Sequence, residues 1–64
     1  MSETIKIWLE GLYEAEIRET KVAIENEYIW ELGYDGEESN PHTENIRLLK
    51  EYLEMLEEKL KEIK

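Results

Sequence analysis

The chain has no cysteine, so no disulfide can constrain it. It also lacks a cluster of histidines and carboxylates suited to a structural metal. A chain of 64 residues buries too little surface to be comfortably stable without a disulfide, a metal or a partner. Self-association is the remaining device, and we therefore expect a homodimer.

Basic residues are scarce. The 8 Lys and Arg face 17 Asp and Glu, which gives a net charge of −9 and a pI near 4.5. This balance argues against direct binding of nucleic acid through its phosphates and favours a basic protein partner. No leader-like segment and no long apolar run is present, so the sequence predicts a soluble, cytoplasmic protein that does not contact membranes.

The shortage of bases is greatest between Val22 and Ile46, where seven acids occur without any Lys or Arg. Concentrated charge can steer a partner, and aromatic residues beside it are typical of a binding hot spot. The alternative is that the acids are a solvated loop and that the aromatic residues cap the hairpin core. The predicted partner-binding surface consists of Glu27, Trp30, Glu31, Tyr34, Asp35, Glu37, Glu38 and Glu44.

Apolar periodicity predicts an all-α fold, a two-helix antiparallel hairpin in a single domain. The first helix should span about 3–32, the acidic loop about 33–40 and the second helix about 41–63. Ser2 or Thr4 is expected to be the N-cap of the first helix.

Between the helices, the residue types predict how one helix ends and the next begins. Gly33 suits the left-handed C′ position that commonly ends a helix. Asn40 followed by Pro41 indicates an N-cap and a first helical residue, with Thr43 as a competing cap. His42 would then lie in the first turn of the second helix and face solvent.

Each predicted helix carries two apolar stripes. The seam of the second helix alternates by three and four residues, as in coiled-coil-like packing, and its second stripe lies roughly 110° away. The seam is Ile46, Leu49, Leu53, Leu56, Leu60 and Ile63, and the second stripe is Leu48, Tyr52 and Met55. In the first helix, one stripe is Ile5, Trp8, Leu12, Ala15, Val22 and Ile29, and the other is Leu9, Tyr13, Ile17, Ile24 and Tyr28.

Two helices with two apolar stripes each imply more than two helices, because an isolated hairpin would leave one stripe of each helix in water. A homodimeric four-helix bundle would cover both. Glu19 and Asn26 interrupt the first stripe of helix one. Either they are buried and fix the register between helices, or that stripe lies at the edge of the bundle and they are exposed. The residues expected in the core or the dimer contact are Ile5, Trp8, Leu12, Ile17, Ile24, Ile46, Leu49, Leu53, Leu56 and Leu60.

Catalytic chemistry has few candidates. Asp35, Ser39 and His42 share one loop, which offers no scaffold to hold a hydrolytic triad. The same loop fails as a calcium site, because its sixth position is Asn40 rather than glycine and its twelfth is Ile46 rather than glutamate. We therefore expect no enzyme and no cofactor.

Two glutamate series require separate consideration. Glu16-x-x-Glu19 and Glu51-x-x-Glu54-x-x-Glu57 are similar in spacing to the all-α nucleotide pyrophosphohydrolases of the MazG type. That resemblance implies magnesium held by glutamates and hydrolysis of nucleotides. Those families need a longer chain and a further acidic motif. The glutamates of the second helix lie mostly opposite the seam and can pair with nearby bases, so no metal site is expected.

In size, acidity and cysteine-free helical layout, the chain resembles the small inhibitors that phages make against host enzymes and defence systems. The resemblance covers the whole chain but carries no motif. It implies docking of the acidic loop on a basic surface of a host defence or nucleic-acid enzyme. The alternative is a structural or regulatory subunit that pairs helix to helix through its outer apolar residues.

Overall fold

The computed structural model describes residues 2–36 and 39–64. It contains two helices, α1 (Glu3–Gly33) and α2 (Pro41–Ile63). Thr43 at the start of α2 contacts Glu31 near the end of α1, whereas Lys64 at the other end lies close to Glu14. The helices are therefore antiparallel, and the predicted all-α hairpin is confirmed.

Both helices begin as the sequence predicts. The Ser2 hydroxyl accepts a hydrogen bond from the backbone N–H of Ile5 at 3.2 Å. The Asn40 side chain accepts one from the backbone N–H of His42 at 3.0 Å, with a proline at the first helical position. Each cap satisfies a donor that the first helical turn leaves without a partner. Thr43 is therefore not the cap, and its hydroxyl bonds to α1 instead.

The end of α1 differs from the prediction. Gly33 is the last helical residue and does not have a positive φ, so the predicted left-handed C′ glycine is wrong. Tyr34 follows in an extended conformation with φ −77° and ψ 124°. Asn40 donates from its amide nitrogen to the Glu31 carbonyl at 3.1 Å. The backbone N–H of Tyr34 donates to the same carbonyl at 3.3 Å, so this end-of-helix acceptor is satisfied by one backbone and one side-chain donor.

The contact between the helices follows one stripe of each. In α2 the predicted seam is confirmed, with Ile46 and Leu56 buried and the remaining seam residues half-buried. In α1 the stripe that packs against it is the one containing Ile17 and Ile24, with Thr20 buried between them. The Thr20 hydroxyl donates to the Glu16 carbonyl at 2.7 Å, so its polar atom is satisfied inside the contact.

The other stripe of α1 lies outside the core of the hairpin. Ile5, Trp8 and Leu12 are all exposed, and so are Glu19 and Asn26. The polar residues of this stripe are therefore not buried by α2. A role for the three apolar residues in a dimer stays a prediction.

The hairpin is long and thin, measuring 53 × 14 × 10 Å. Its radius of gyration is 15.4 Å, against about 11 Å for a compact domain of this length. It exposes 5140 Å², whereas a typical monomer of the same mass would expose about 4300 Å².

In the part of the chain that the structure describes, no helix is long and apolar enough to cross a membrane.

Candidate functional site

The loop end of the hairpin is closed by a contact between His42 and Glu27. Nδ1 of His42 lies 2.6 Å from a carboxylate oxygen of Glu27, and Asn45 donates to the same oxygen at 3.4 Å. A carboxylate only accepts, so the imidazole carries its proton on Nδ1. The side chains of His42 and Glu27 are only 25% and 23% exposed. The expectation that His42 faces solvent is therefore wrong.

This contact changes the chemistry of the glutamate. The hydrogen bond from His42 holds the pKa of Glu27 below its ordinary value, and this effect outweighs the opposing effect of partial burial. The hydrogen bond from Asn45 acts in the same direction. Glu27 is thus kept ionised at the loop end, with its carboxylate turned toward α2 rather than toward a partner.

Two aromatic rings flank the imidazole of His42. The Trp30 ring lies nearly parallel to it, with centroids 6.3 Å apart and an interplanar angle of 21°. Tyr34 approaches edge-on, also at 6.3 Å, with an angle of 74°. The two aromatic residues that were predicted to lie beside the acidic segment are therefore arranged around the imidazole of a histidine. Trp30 nevertheless remains 65% exposed, whereas Tyr34 is half-buried.

Glu31 also belongs to the closure between helices. Its carboxylate accepts a hydrogen bond from the Thr43 hydroxyl at 2.6 Å, and its carbonyl accepts one from Asn40. Both groups of Glu31 thus contact the first turn of α2 or its cap. Replacing Glu31 would disturb the loop end as well as remove a charge.

Glu44 is paired with a base just beyond the acidic segment. Arg47 binds the Glu44 carboxylate through two nitrogens and Glu51 through a third contact at 2.8 Å. The hydrogen bonds that Arg47 donates to Glu44 lower the pKa of Glu44 and raise that of Arg47, and the negative charges of Glu44 and Glu51 raise the pKa of Arg47 further. The predicted pairing of the α2 glutamates with nearby bases is confirmed for Arg47 with Glu51.

The predicted partner-binding residues thus divide into three groups. Glu27, Glu31 and Glu44 are bound by other side chains of the hairpin. Asp35 and Trp30 are exposed at the loop end, where Tyr34 is half-buried beside His42. Glu37 and Glu38 lie outside the described residues. The acidic surface free to meet a partner is therefore narrower than the sequence suggests.

A second candidate surface lies along one side of the hairpin. Leu12 of α1 and Tyr52 of α2 line the same groove between the helices. Ile5 and Trp8 precede Leu12 by seven and four residues, a spacing that places all three on one strip along α1. Trp30 follows Leu12 by about five complete turns and extends the strip to the loop end. On α2, Leu48 and Met55 flank Tyr52 in the same way.

We call this surface the apolar side. Its members are between 40% and 65% exposed, although all are large apolar or aromatic residues. The Glu16 carboxylate lies at its groove and accepts a hydrogen bond from the Tyr52 hydroxyl at 3.2 Å. Partial burial raises the pKa of Tyr52, and the negative charge of Glu16 raises it further. The residues of the apolar side are Ile5, Trp8, Leu12, Trp30, Leu48, Tyr52 and Met55.

The opposite side of the hairpin combines charged residues with exposed apolar ones, among them Ile7 and Leu32. The groove there is lined mainly by Glu14, Arg18, Glu57 and Lys61 beside apolar seam residues. Farther along, the Lys50 ammonium lies 5.2 Å from the centroid of the Tyr28 ring, in a cation–π contact. Charged groups are therefore more frequent at this groove than at the groove of the apolar side.

The two glutamate series do not converge within the hairpin. Glu16 lies at the groove of the apolar side, whereas Glu54 and Glu57 share a separate surface depression with Glu58 and Lys61. Among residues 2–36 and 39–64, no three His, Asp or Glu side chains are grouped so that they could hold a metal ion.

His42 is the residue of the loop end that the sequence reasoning missed. Its position contained the necessary signal, because it precedes Ile46 by four residues and Leu49 by seven. That spacing places it on the seam of α2, facing α1. Its place in the first helical turn and its polarity suggested solvent exposure instead.

Comparisons of the chain with protein-family models, with curated proteins and with solved structures found no match. What the chain does is therefore inferred from its own contacts, exposures and charges.

Proposed function

We propose that the chain is a small acidic protein-binding module, without catalysis of its own, whose loop end docks on a basic surface of a partner protein. The observation that carries this proposal is the segment from Val22 to Ile46, with seven acids and no Lys or Arg. Glu25 and Asp35 are exposed in it. Such a patch speeds the encounter with a basic protein and weakens as salt screens it.

Exposed apolar side chains at the end of α1 support the same proposal. Trp30 is 65% and Leu32 88% exposed there. Charges at the rim of an interface add little affinity, whereas a tryptophan that fills a pocket adds much. Stacking on His42 holds Trp30 in place before binding, which reduces the side-chain entropy lost in a complex.

The class of partner follows from the charge. A basic surface that accepts this loop end is of the kind that enzymes present to DNA or RNA, and occupying it would inhibit them. This agrees with the resemblance in layout to phage inhibitors of host defence and nucleic-acid enzymes. The module itself contributes charge and shape rather than chemistry.

A second candidate function is that of a structural or regulatory helix-pairing subunit. The exposed apolar side favours it, because helices pair through such stripes. The two functions differ in location, since docking of the loop end uses the acids Asp35, Glu37 and Glu38 whereas helix pairing uses apolar residues such as Leu12 and Met55.

The test is a pulldown from extracts of the native host at low and high salt with two variants of equal charge. In the loop-end variant, Asp35, Glu37 and Glu38 are replaced by Lys. In the control variant, three exposed acids in the second half of α2, Glu54, Glu57 and Glu58, are replaced by Lys. Each variant has a net charge of −3 instead of −9, because every reversal adds two charges. Glu31 stays unchanged because it binds Thr43.

We expect one basic protein to be retained by the unmodified chain and by the control variant, and to be lost with the loop-end variant and at high salt. A partner that binds both variants equally well at all salt concentrations would show that the loop end is not the interface. A partner lost with Leu12→Glu or Met55→Glu, but not with the loop-end variant, would favour the helix-pairing subunit.

A further inference from the structure

The apolar core that the hairpin builds for itself is very small. Among the described residues, only Ile24, Ile46 and Leu56 are buried apolar side chains, and no large side chain is completely enclosed. Small domains without disulfides or metals usually need an unusually dense core or a partner to be stable. The chain has no cysteine to form a disulfide. Its folded state therefore needs additional burial from outside the hairpin.

The apolar side is large enough to provide that burial. Its seven side chains, each 40–65% exposed, together present on the order of 800 Å². This is about the area that each partner contributes to a standard-size protein interface. It exceeds the roughly 300–600 Å² of the largest apolar patch on a typical monomer. It is also similar to the excess of the hairpin's total exposed surface over that of a compact monomer.

The arrangement of this surface suits a second layer of helices. Leu12 and Tyr52 line one groove between the helices. The spacing of the other five residues along α1 and α2 places them on the same two strips. Another hairpin laid on this side would cover both strips at once and produce a four-helix bundle. The Glu16 carboxylate at the groove already accepts a hydrogen bond from Tyr52, so burial would not leave it without a partner.

We propose that the apolar side binds the apolar side of a second copy of this chain. The requirement for burial is present whenever the chain is folded, and a second copy is the one protein that is always available at the site of synthesis. Dimers with two-fold symmetry place the same patch of both copies in contact, and the apolar side provides such a patch. The apolar side shares only Trp30 with the loop end proposed above to dock, and it does not include the acids Asp35, Glu37 and Glu38 that the docking test reverses.

The first test is the mass of the chain in solution with a pair of matched variants. Ile5 and Ile7 both lie within the first two turns of α1 and are 51% and 61% exposed, but only Ile5 belongs to the apolar side. We expect the unmodified chain and Ile7→Glu to have twice the single-chain mass of 7.7 kDa in light scattering. Ile5→Glu and Met55→Glu should raise the dimer dissociation constant at least tenfold.

Because folding and dimerisation are coupled in this account, a variant of the apolar side could unfold. An isotope-filtered NMR experiment on unmodified protein avoids that difficulty. In a mixture of labelled and unlabelled copies, we expect intermolecular NOEs from the methyl groups of Leu12, Leu48 and Met55, and none from Ile7 or Leu32.

Three results would overturn the proposal. The first is a folded chain of single-copy mass at the concentrations used for NMR. The second is a dimer whose intermolecular NOEs come from Ile7 or Leu32. The third is a dimer dissociated equally by Ile5→Glu and Ile7→Glu. None of these outcomes bears on the salt-dependent binding of a basic partner, so the two proposals can fail separately.

Discussion

His42 at the start of α2 bonds to Glu27 of α1, with 2.6 Å between Nδ1 and the carboxylate oxygen. The contact lies between Trp30 and Tyr34 and fixes the two helices where the chain reverses direction. The apolar seam ends near Ile46. Beyond that point, toward the loop, polar side chains hold the two helices together.

Glu27 should make the stability of the hairpin depend on pH. Its pKa is lower in the folded chain than the ordinary value of 4.5, mainly because of the hydrogen bond from His42. Such a group stabilises the fold above its ordinary pKa, and this contribution is lost as the pH falls through the lowered value. Urea unfolding at neutral pH should therefore show Glu27→Gln to be less stable than the unmodified chain.

The difference between the two proteins should shrink as the pH is lowered below 4.5. Glu25→Gln, two residues away and exposed, is the matched control and should differ little from the unmodified chain at either pH. A difference for Glu27→Gln that is the same at neutral and acid pH would contradict a stabilising role of its charge.

Gly33 should tolerate a larger residue. It is helical with no positive φ, and a Cβ atom there would meet nothing within 4 Å. Gly33→Ala should raise the free energy of unfolding by about 0.5–1 kcal/mol, because alanine loses less backbone entropy than glycine on forming a helix. Gly11→Ala, inside α1 with equally open space, should have a similar effect. Destabilisation by Gly33→Ala in chemical unfolding would indicate a left-handed residue after all.

The seam should be much more sensitive than the exposed helix surface. Leu56 is 3% exposed and Leu32 88% exposed. Leu56→Ala should cost about 2–3 kcal/mol, since it removes buried methyl groups and leaves a cavity. Leu32→Ala should change the free energy of unfolding by less than about 0.5 kcal/mol. Equal losses for both leucines in urea unfolding would mean that the seam is wrongly assigned.

Tyr52 should titrate later than an ordinary tyrosine. Partial burial and the neighbouring Glu16 carboxylate disfavour the phenolate and raise its pKa above 10. The resulting stabilisation is present below pH 10 and is lost as the pH rises through the raised value. The absorbance of phenolate, followed through an alkaline titration, should show a late step that Tyr52→Phe removes. Glu16→Gln should move that step to lower pH, and no movement would contradict the contact.

The sequence allowed the two helices and the seam of α2 to be predicted correctly. The repeat from Ile46 to Ile63 has six apolar members at regular spacing, whereas the second stripe of α2 has only three, so the repeat is the better contact face for α1. The caps Ser2 and Asn40 were also predictable, because each side chain accepts from the first turn that follows it.

The face of α1 that packs against α2 could not be chosen from periodicity. Its inner side carries Thr20, Glu27 and Glu31, whose polar groups bond to the backbone or to α2. Its outer side carries Trp8 and Leu12, which are exposed. Polar residues inside and apolar residues outside weaken the usual contrast between the faces of a helix. The closure by His42 likewise depends on an interhelical partner that local sequence does not identify.

We propose that the folded hairpin requires a second copy to cover its apolar side. Thermal unfolding tests this requirement when it is followed by circular dichroism over a roughly hundredfold range of protein concentration. The midpoint should rise with concentration, because unfolding then includes dissociation of the dimer. A cooperative transition whose midpoint stays constant over that range would show that the single hairpin is stable alone, and a second copy would then not be required.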